Sequence, residues 1–198
     1  MGAIFQSLGR TVIAGFVLLI IIFALVAGVS GSAPKVDHVW AAFFVRWLHV
    51  LSGVMWIGLL WYFNFVQTPS MPKIPDEQKP AVSKVIAPTA LFWFRWSAMA
   101  TIVTGIIVAT MPPNYIGKAL SFQGGYHAIG LGMWLGAIMW FNVWFIIWPN
   151  QKKALGIVQV TPEEKTAAAK RAGMTSRINT MLSIPMLFCM VAQQNGGF

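Results

Sequence analysis

Residues 11–28, TVIAGFVLLIIIFALVAG, form an apolar stretch without a single charge. A helix needs about 20 such residues to cross the hydrocarbon core of a bilayer, so this stretch is long enough to span. Its apolarity is continuous and does not alternate, which excludes the period-two pattern of a membrane β-barrel strand. A helix remains, because it satisfies all its backbone hydrogen bonds within the segment. Four further windows of this kind follow, at about residues 39–66, 90–111, 126–148 and 175–192. Composition agrees: 57% of residues are hydrophobic and only 10% charged, against about 45–50% and 25% in soluble domains. The expectation is an all-α integral membrane protein with five transmembrane helices. Residues 1–38 would supply an N-terminal helix and an outer loop, and residues 39–198 a four-helix core bundle, with the first helix packed outside it or serving as an anchor. Cys189 is the only cysteine, so a disulfide scaffold is excluded. Arg10 before the first window and Gly28, Ser30, Gly31, Ser32 and Ala33 after it resemble the flanks of a signal peptide. The apolar run exceeds the 7–15 residues usual for a signal core, so a retained helix is expected.

The net charge of +9 is unevenly placed. Arg10, the trio Lys73, Lys79 and Lys84, and the run from Lys152 through Arg177 fall on one side of the five spans, while Lys35 and Lys118 fall on the other. The cation-rich side is expected to be cytoplasmic, which puts the N-terminus inside and the C-terminus outside. Cations in short loops beside apolar spans suit anionic lipid, so the bilayer is the expected partner and nucleic acid is not. Two loops carry local signals. Gln67–Thr89 holds Pro69, Pro72, Pro75, Pro80 and Pro88, which predicts an extended connector. In Pro149–Gly173, Thr161-Pro162-Glu163-Glu164 reads as a helix start and Gly173 as a stop, predicting a short amphipathic surface helix.

Polar residues inside spans are costly and so mark candidate sites. In the second span Arg46, His49, Gly53, Trp56 and Leu60 share a face, with Gly53 one turn past the histidine. A flat macrocycle fits there: histidine ligates haem iron and a guanidinium suits a propionate. The alternative is that His49 bonds a neighbouring helix and Arg46 reaches the headgroups. Arg95 in the third span is expected to snorkel, and Ser97, Thr101, Thr104 and Gly105 to pack against neighbours. In the fourth span Gly132 and Gly136 predict close helix contact, while Asn142, about four turns deep, requires a partner helix or a bound group. His127 opens that span; it is a candidate second haem ligand, although it lies nearer the membrane surface than His49. His38, beside Asp37, reads as solvated. Paired carboxylates occur only in loops, and neither an H-E-x-x-H motif nor a phosphate-binding glycine loop is present.

Four segments, RWLHVLSGVMWIGLLWYFNFVQTP, ALFWFRWSAMATIVTG, NVWFIIWPNQKK and SRINTMLSIPMLFCMV, resemble in the same order the urate oxidase N-terminal domain, the membrane domain of bacterial membrane-bound urate hydroxylases. The resemblance runs from about residue 39 to 193. The second span is also similar to the wider group of small haem-binding bundles that includes the membrane protoporphyrinogen oxidase. The resemblance implies a haem-b-type redox bundle in the bacterial inner membrane. His49 would be the axial ligand, Arg46 the propionate partner and His127 the second ligand, with Gly53 and Asn142 beside the cofactor. In the urate hydroxylases a cytochrome c domain follows and receives the electrons. This sequence contains no C-x-x-C-H motif, so a separate cytochrome c or another membrane subunit is the expected acceptor. A cofactor-free structural accessory subunit of a larger respiratory complex is the alternative from a different class.

Overall fold

The computed structural model describes residues 2–31 and 35–197, which fall into two compact units divided between Ala41 and Ala42. Ser32 and Ala33 of the small-residue run, and the terminal Phe198, lie outside the described residues. In the first unit, helix α1 (Leu8–Val29) covers the leading apolar stretch, with a mean hydropathy of 3.1. Helix α2 (His38–Trp61) starts where the Asp37 carboxylate accepts a hydrogen bond from the Trp40 amide at 2.9 Å, satisfying one of the free donors of a helix start.

The second unit is helical throughout its ordered elements. It contains the rest of α2, then α3 (Ala87–Thr110), the short α4 (Tyr115–Leu120), α5 (His127–Phe141) and α6 (Pro162–Asn195). No strand occurs among the described residues. Three of these helices are longer than their α-helical cores. The α2 path runs on to Lys73, the α3 path begins at Ala81, and the α5 path reaches Ala154. Each extension contains a wider π-helical turn: Tyr62–Gln67, Ala81–Ile86 and Asn142–Ile147. All three turns end two residues before a proline, at Pro69, Pro88 and Pro149. Proline has no N–H to donate, and its ring presses on the carbonyl one turn back, so a locally wider turn relieves the clash without breaking the helix.

This arrangement corrects the expected extended connector at Gln67–Thr89. Four of its five prolines sit in or beside helical turns, and the chain is non-helical only at residues 74–78. The second correction concerns Gly173. Thr161 does open a helix, with a complete capping box: its hydroxyl accepts from the Glu164 amide and the Glu164 carboxylate accepts from the Thr161 amide, both at 3.2 Å. That helix does not stop at Gly173 but continues to Asn195. The reason is a buried stripe that crosses the glycine without interruption, through Ala168, Ala172, Thr175, Asn179, Ser183 and Met186. Packing along that face outweighs the roughly 1 kcal/mol helical penalty of one glycine.

Helices α1, α2, α3 and α5, with their extensions, are long and apolar enough to cross a membrane. Helix α6 is long enough but more polar, because its first half carries Glu163, Glu164, Lys165, Lys170, Arg171 and Arg177 and its buried stripe carries Thr175, Asn179 and Ser183. Apolar surface alone holds helices together weakly in lipid, so interhelical hydrogen bonds and close backbone approach gain importance. Trp61 donates to the Ser183 hydroxyl at 2.9 Å, and Asn64 donates to the Ser176 hydroxyl at 2.8 Å, fixing the end of the α2 path to α6. Gly132 brings α5 against α6; a Cβ there would stand 3.2 Å from the Cys189 Cβ and 3.4 Å from the Met190 amide. Gly136 is buried but has no neighbour at that range. An apolar core formed by Trp56, Leu60, Phe94, Met139, Val143 and Ile147 fills the half of the unit nearer the connectors after Lys73 and Ala154. That half is called the basic end here, for Lys73, Lys79, Lys84, Lys152 and Lys153. At the opposite end α4 sits over α5, with Trp134 donating to the Leu120 carbonyl at 3.1 Å.

Candidate functional site

His49 is half-buried on α2 and faces α3. Its Nδ1 lies 2.9 Å from the Thr101 carbonyl oxygen, and the Thr104 hydroxyl is 3.4 Å away. A carbonyl only accepts, so Nδ1 carries the proton and Nε2 keeps its lone pair. The imidazole fits because residue 105 is glycine: a Cβ there would stand 2.9 Å from the ring Cε1. Gly53, one turn along α2, has the Thr101 methyl 3.9 Å from the place a Cβ would occupy. The small and hydroxylated residues of the third span therefore form the bed on which the histidine rests.

The other expected site residues are placed differently. Arg46 is exposed, and its charge acts on Tyr115 of α4. Burial pushes the Tyr115 phenol up from its ordinary value, with Tyr126, 5.0 Å away ring to ring, adding to the rise and Arg46 opposing it. His127 is the first residue of α5 and is exposed. His38 is the first residue of α2, also exposed. Asn142 is buried and has the helix partner it requires: its Nδ2 donates to Asn179 Oδ1 at 2.8 Å, and Asn179 Nδ2 donates in turn to the Met139 carbonyl at 2.9 Å. Among the described residues no three of His, Cys, Asp and Glu gather as a metal site, whereas a porphyrin iron needs only one or two protein ligands.

Arg95 has a ring partner in addition to the snorkelling expected of it. Its guanidinium carbon lies 3.3 Å from the centroid of the Trp148 ring, a face-on cation–π stack joining α3 to the end of the α5 path. Lys152 stands 5.7 Å from the same ring. The sequence signals for this group were Arg95 itself and the tryptophan of WPNQKK; what the sequence could not supply was the pairing across two helices. The Asn179 role was legible only as polar and small residues spaced by four on the last helix.

No curated protein and no solved structure matches the chain. The segment 108–196, from the last turn of α3 to the end of α6, matches a family model. It contains His127, the Asn142–Asn179 pair and Trp148, while Arg46, His49, Gly53 and Arg95 precede it. That model describes the urate oxidase N-terminal family, so residues 108–196 are similar to the family that the chain's motifs resemble.

Proposed function

We propose that the chain is a five-span protein of the bacterial inner membrane, with its N-terminus cytoplasmic and its C-terminus periplasmic. In this reading it is a haem-b redox bundle of the urate hydroxylase membrane-domain type, delivering electrons to a separate cytochrome c or another respiratory membrane subunit. The observation that supports it most is the state of His49. A metal-bound imidazole characteristically donates its other ring N–H to a carbonyl, which fixes the tautomer and ring orientation, and the Thr101 carbonyl receives Nδ1 in this way. His49 would hold the iron through Nε2, Arg46 would hold a propionate, Gly53 would leave room for the macrocycle, and His127 would serve as second ligand. Bound haem supplies one-electron chemistry, which the histidine and the apolar surroundings tune.

A reduced-minus-oxidised spectrum of the detergent-purified protein tests this reading. The wild type should show a Soret band, His49→Ala should lose it, and His38→Ala should keep it. Wild-type protein from haem-replete cells with no haem absorption would leave the cofactor-free accessory subunit as the better reading. That second reading draws on the same contact, since an imidazole seated on Gly105 and bonded to Thr101 also pins α2 to α3 with no cofactor.

A further inference from the structure

Arg95 has no anionic partner among the described residues. Its Nη1 is sealed from solvent and has no hydrogen-bond partner among the described residues. The chain has only five acidic side chains, Asp37, Asp76, Glu77, Glu163 and Glu164, none of which lies between residues 78 and 162. Asp76 is engaged by Lys79 at 2.6 Å and Glu164 by the cap of α6. Helices α3 and α5 therefore contain no carboxylate to satisfy the guanidinium. Trp148 covers one face of the group and holds it in place, while Lys152 brings a second positive charge to the same ring. Nη1 is enclosed by the protein, whereas the Nε–Nη2 edge of the guanidinium is not, and that edge is where an acceptor from outside the chain can reach the group. Arg95 lies eleven residues past Lys84, or about 16–17 Å along the helix at 1.5 Å per residue. The ring it stacks on is also approached by Lys152 of the basic end.

We propose that Arg95, stacked on the Trp148 ring that Lys152 also approaches, is a binding site for a phosphate oxyanion supplied from outside the chain. The planar guanidinium offers two parallel N–H donors that match two oxygens of a phosphate, and the lysine adds charge without geometric demand. Two sources present this chemistry at a membrane surface: the headgroup of an anionic phospholipid and free inorganic phosphate. The site is separate from His49, and its readouts are independent of whether the bundle carries haem.

The test uses the full chain, purified in detergent and reconstituted into nanodiscs of phosphatidylcholine, with or without phosphatidylglycerol. Native mass spectrometry counts retained lipid, and thermal unfolding is followed with each lipid and with added inorganic phosphate. Wild-type protein should retain phosphatidylglycerol and unfold at higher temperature in its presence. Arg95→Gln should weaken retention roughly ten- to hundred-fold, the equivalent of one charged hydrogen bond. Trp148→Leu should weaken it in the same direction, and Lys84→Gln, at an exposed lysine of the same end, should leave it unchanged. Stabilisation by inorganic phosphate that displaces the lipid would identify the free ion as the occupant; lipid retention insensitive to phosphate would identify the headgroup. Equal losses for Arg95→Gln and Lys84→Gln, or no wild-type response to either phosphatidylglycerol or phosphate, would overturn the proposal. If Arg95→Gln fails to fold, Trp148→Leu against Lys84→Gln carries the same comparison, and equal retention in those two would overturn the proposal.

Discussion

Replacing Asn142 by leucine looks conservative in a membrane helix, because it exchanges a polar group for an apolar one of similar size. The structure argues otherwise. Asn142 Nδ2 donates to Asn179 Oδ1 at 2.8 Å, and Asn179 is 0% exposed. Leucine at 142 leaves that oxygen with no donor and no access to water, at a cost of about 1–3 kcal/mol. Membrane hydrogen bonds measured by double-mutant cycles are worth about 0.6 kcal/mol on average and up to about 1.7, so the expected loss for Asn142→Leu is about 1–2 kcal/mol. Asn179→Leu should cost at least as much, since it removes the donor to the Met139 carbonyl as well. In Asn142→Leu/Asn179→Leu, however, neither partner is left waiting for the other. The double variant should be less destabilised than the sum of the singles by about 0.6–1.7 kcal/mol. Equilibrium unfolding of all four proteins in mixed detergent measures this coupling. Strict additivity would refute the claim that the two amides form a unit, and a neutral Asn142→Leu would refute the orphaned-oxygen argument.

Two further outcomes follow from the glycines. Gly173→Ala should raise stability by about 0.5–1 kcal/mol, because residue 173 is mid-helix with open space around a Cβ; a loss would favour a helix stop there. Gly130→Ala should lower the unfolding temperature and loosen α4, because its Cβ would collide with the Ala119 carbonyl, a clash of the kind that costs about 1–3 kcal/mol. Limited proteolysis at the loop around Ser121 reads that loosening directly.

Helix type and approximate span positions were legible in the sequence because uninterrupted apolarity has one structural solution in lipid. The two misread segments share a physical cause. Proline at 69 and 88 and glycine at 173 are local signals, and both were overruled by elements the local sequence does not display: wider turns upstream of the prolines and a buried stripe across the glycine. At the candidate site, His49 stood out as an ionisable residue within an apolar span. Its seat on Gly105 and Thr101 depends on how α2 and α3 meet, which no single-helix periodicity encodes. Arg95 was visible as a charge, but its stacking on Trp148 likewise required two helices to be placed together.

The wide turns change how such a chain has to be counted. On α5 the buried face passes through Met139, Val143 and Ile147, at two successive intervals of four. In an unbroken α-helix eight residues rotate about 800°, leaving Ile147 about 80° away from Met139 around the axis. The turn at Asn142–Ile147 takes up that excess and returns Ile147 to the core, and with it sets where Trp148 points. Each π turn thus behaves as one inserted residue accommodated without a loop. A related chain with an ordinary α-helical turn in this place would reach the same face with one residue fewer. Single-residue length differences between relatives are accordingly expected in these three windows, inside helices, where alignments are usually penalised for placing gaps.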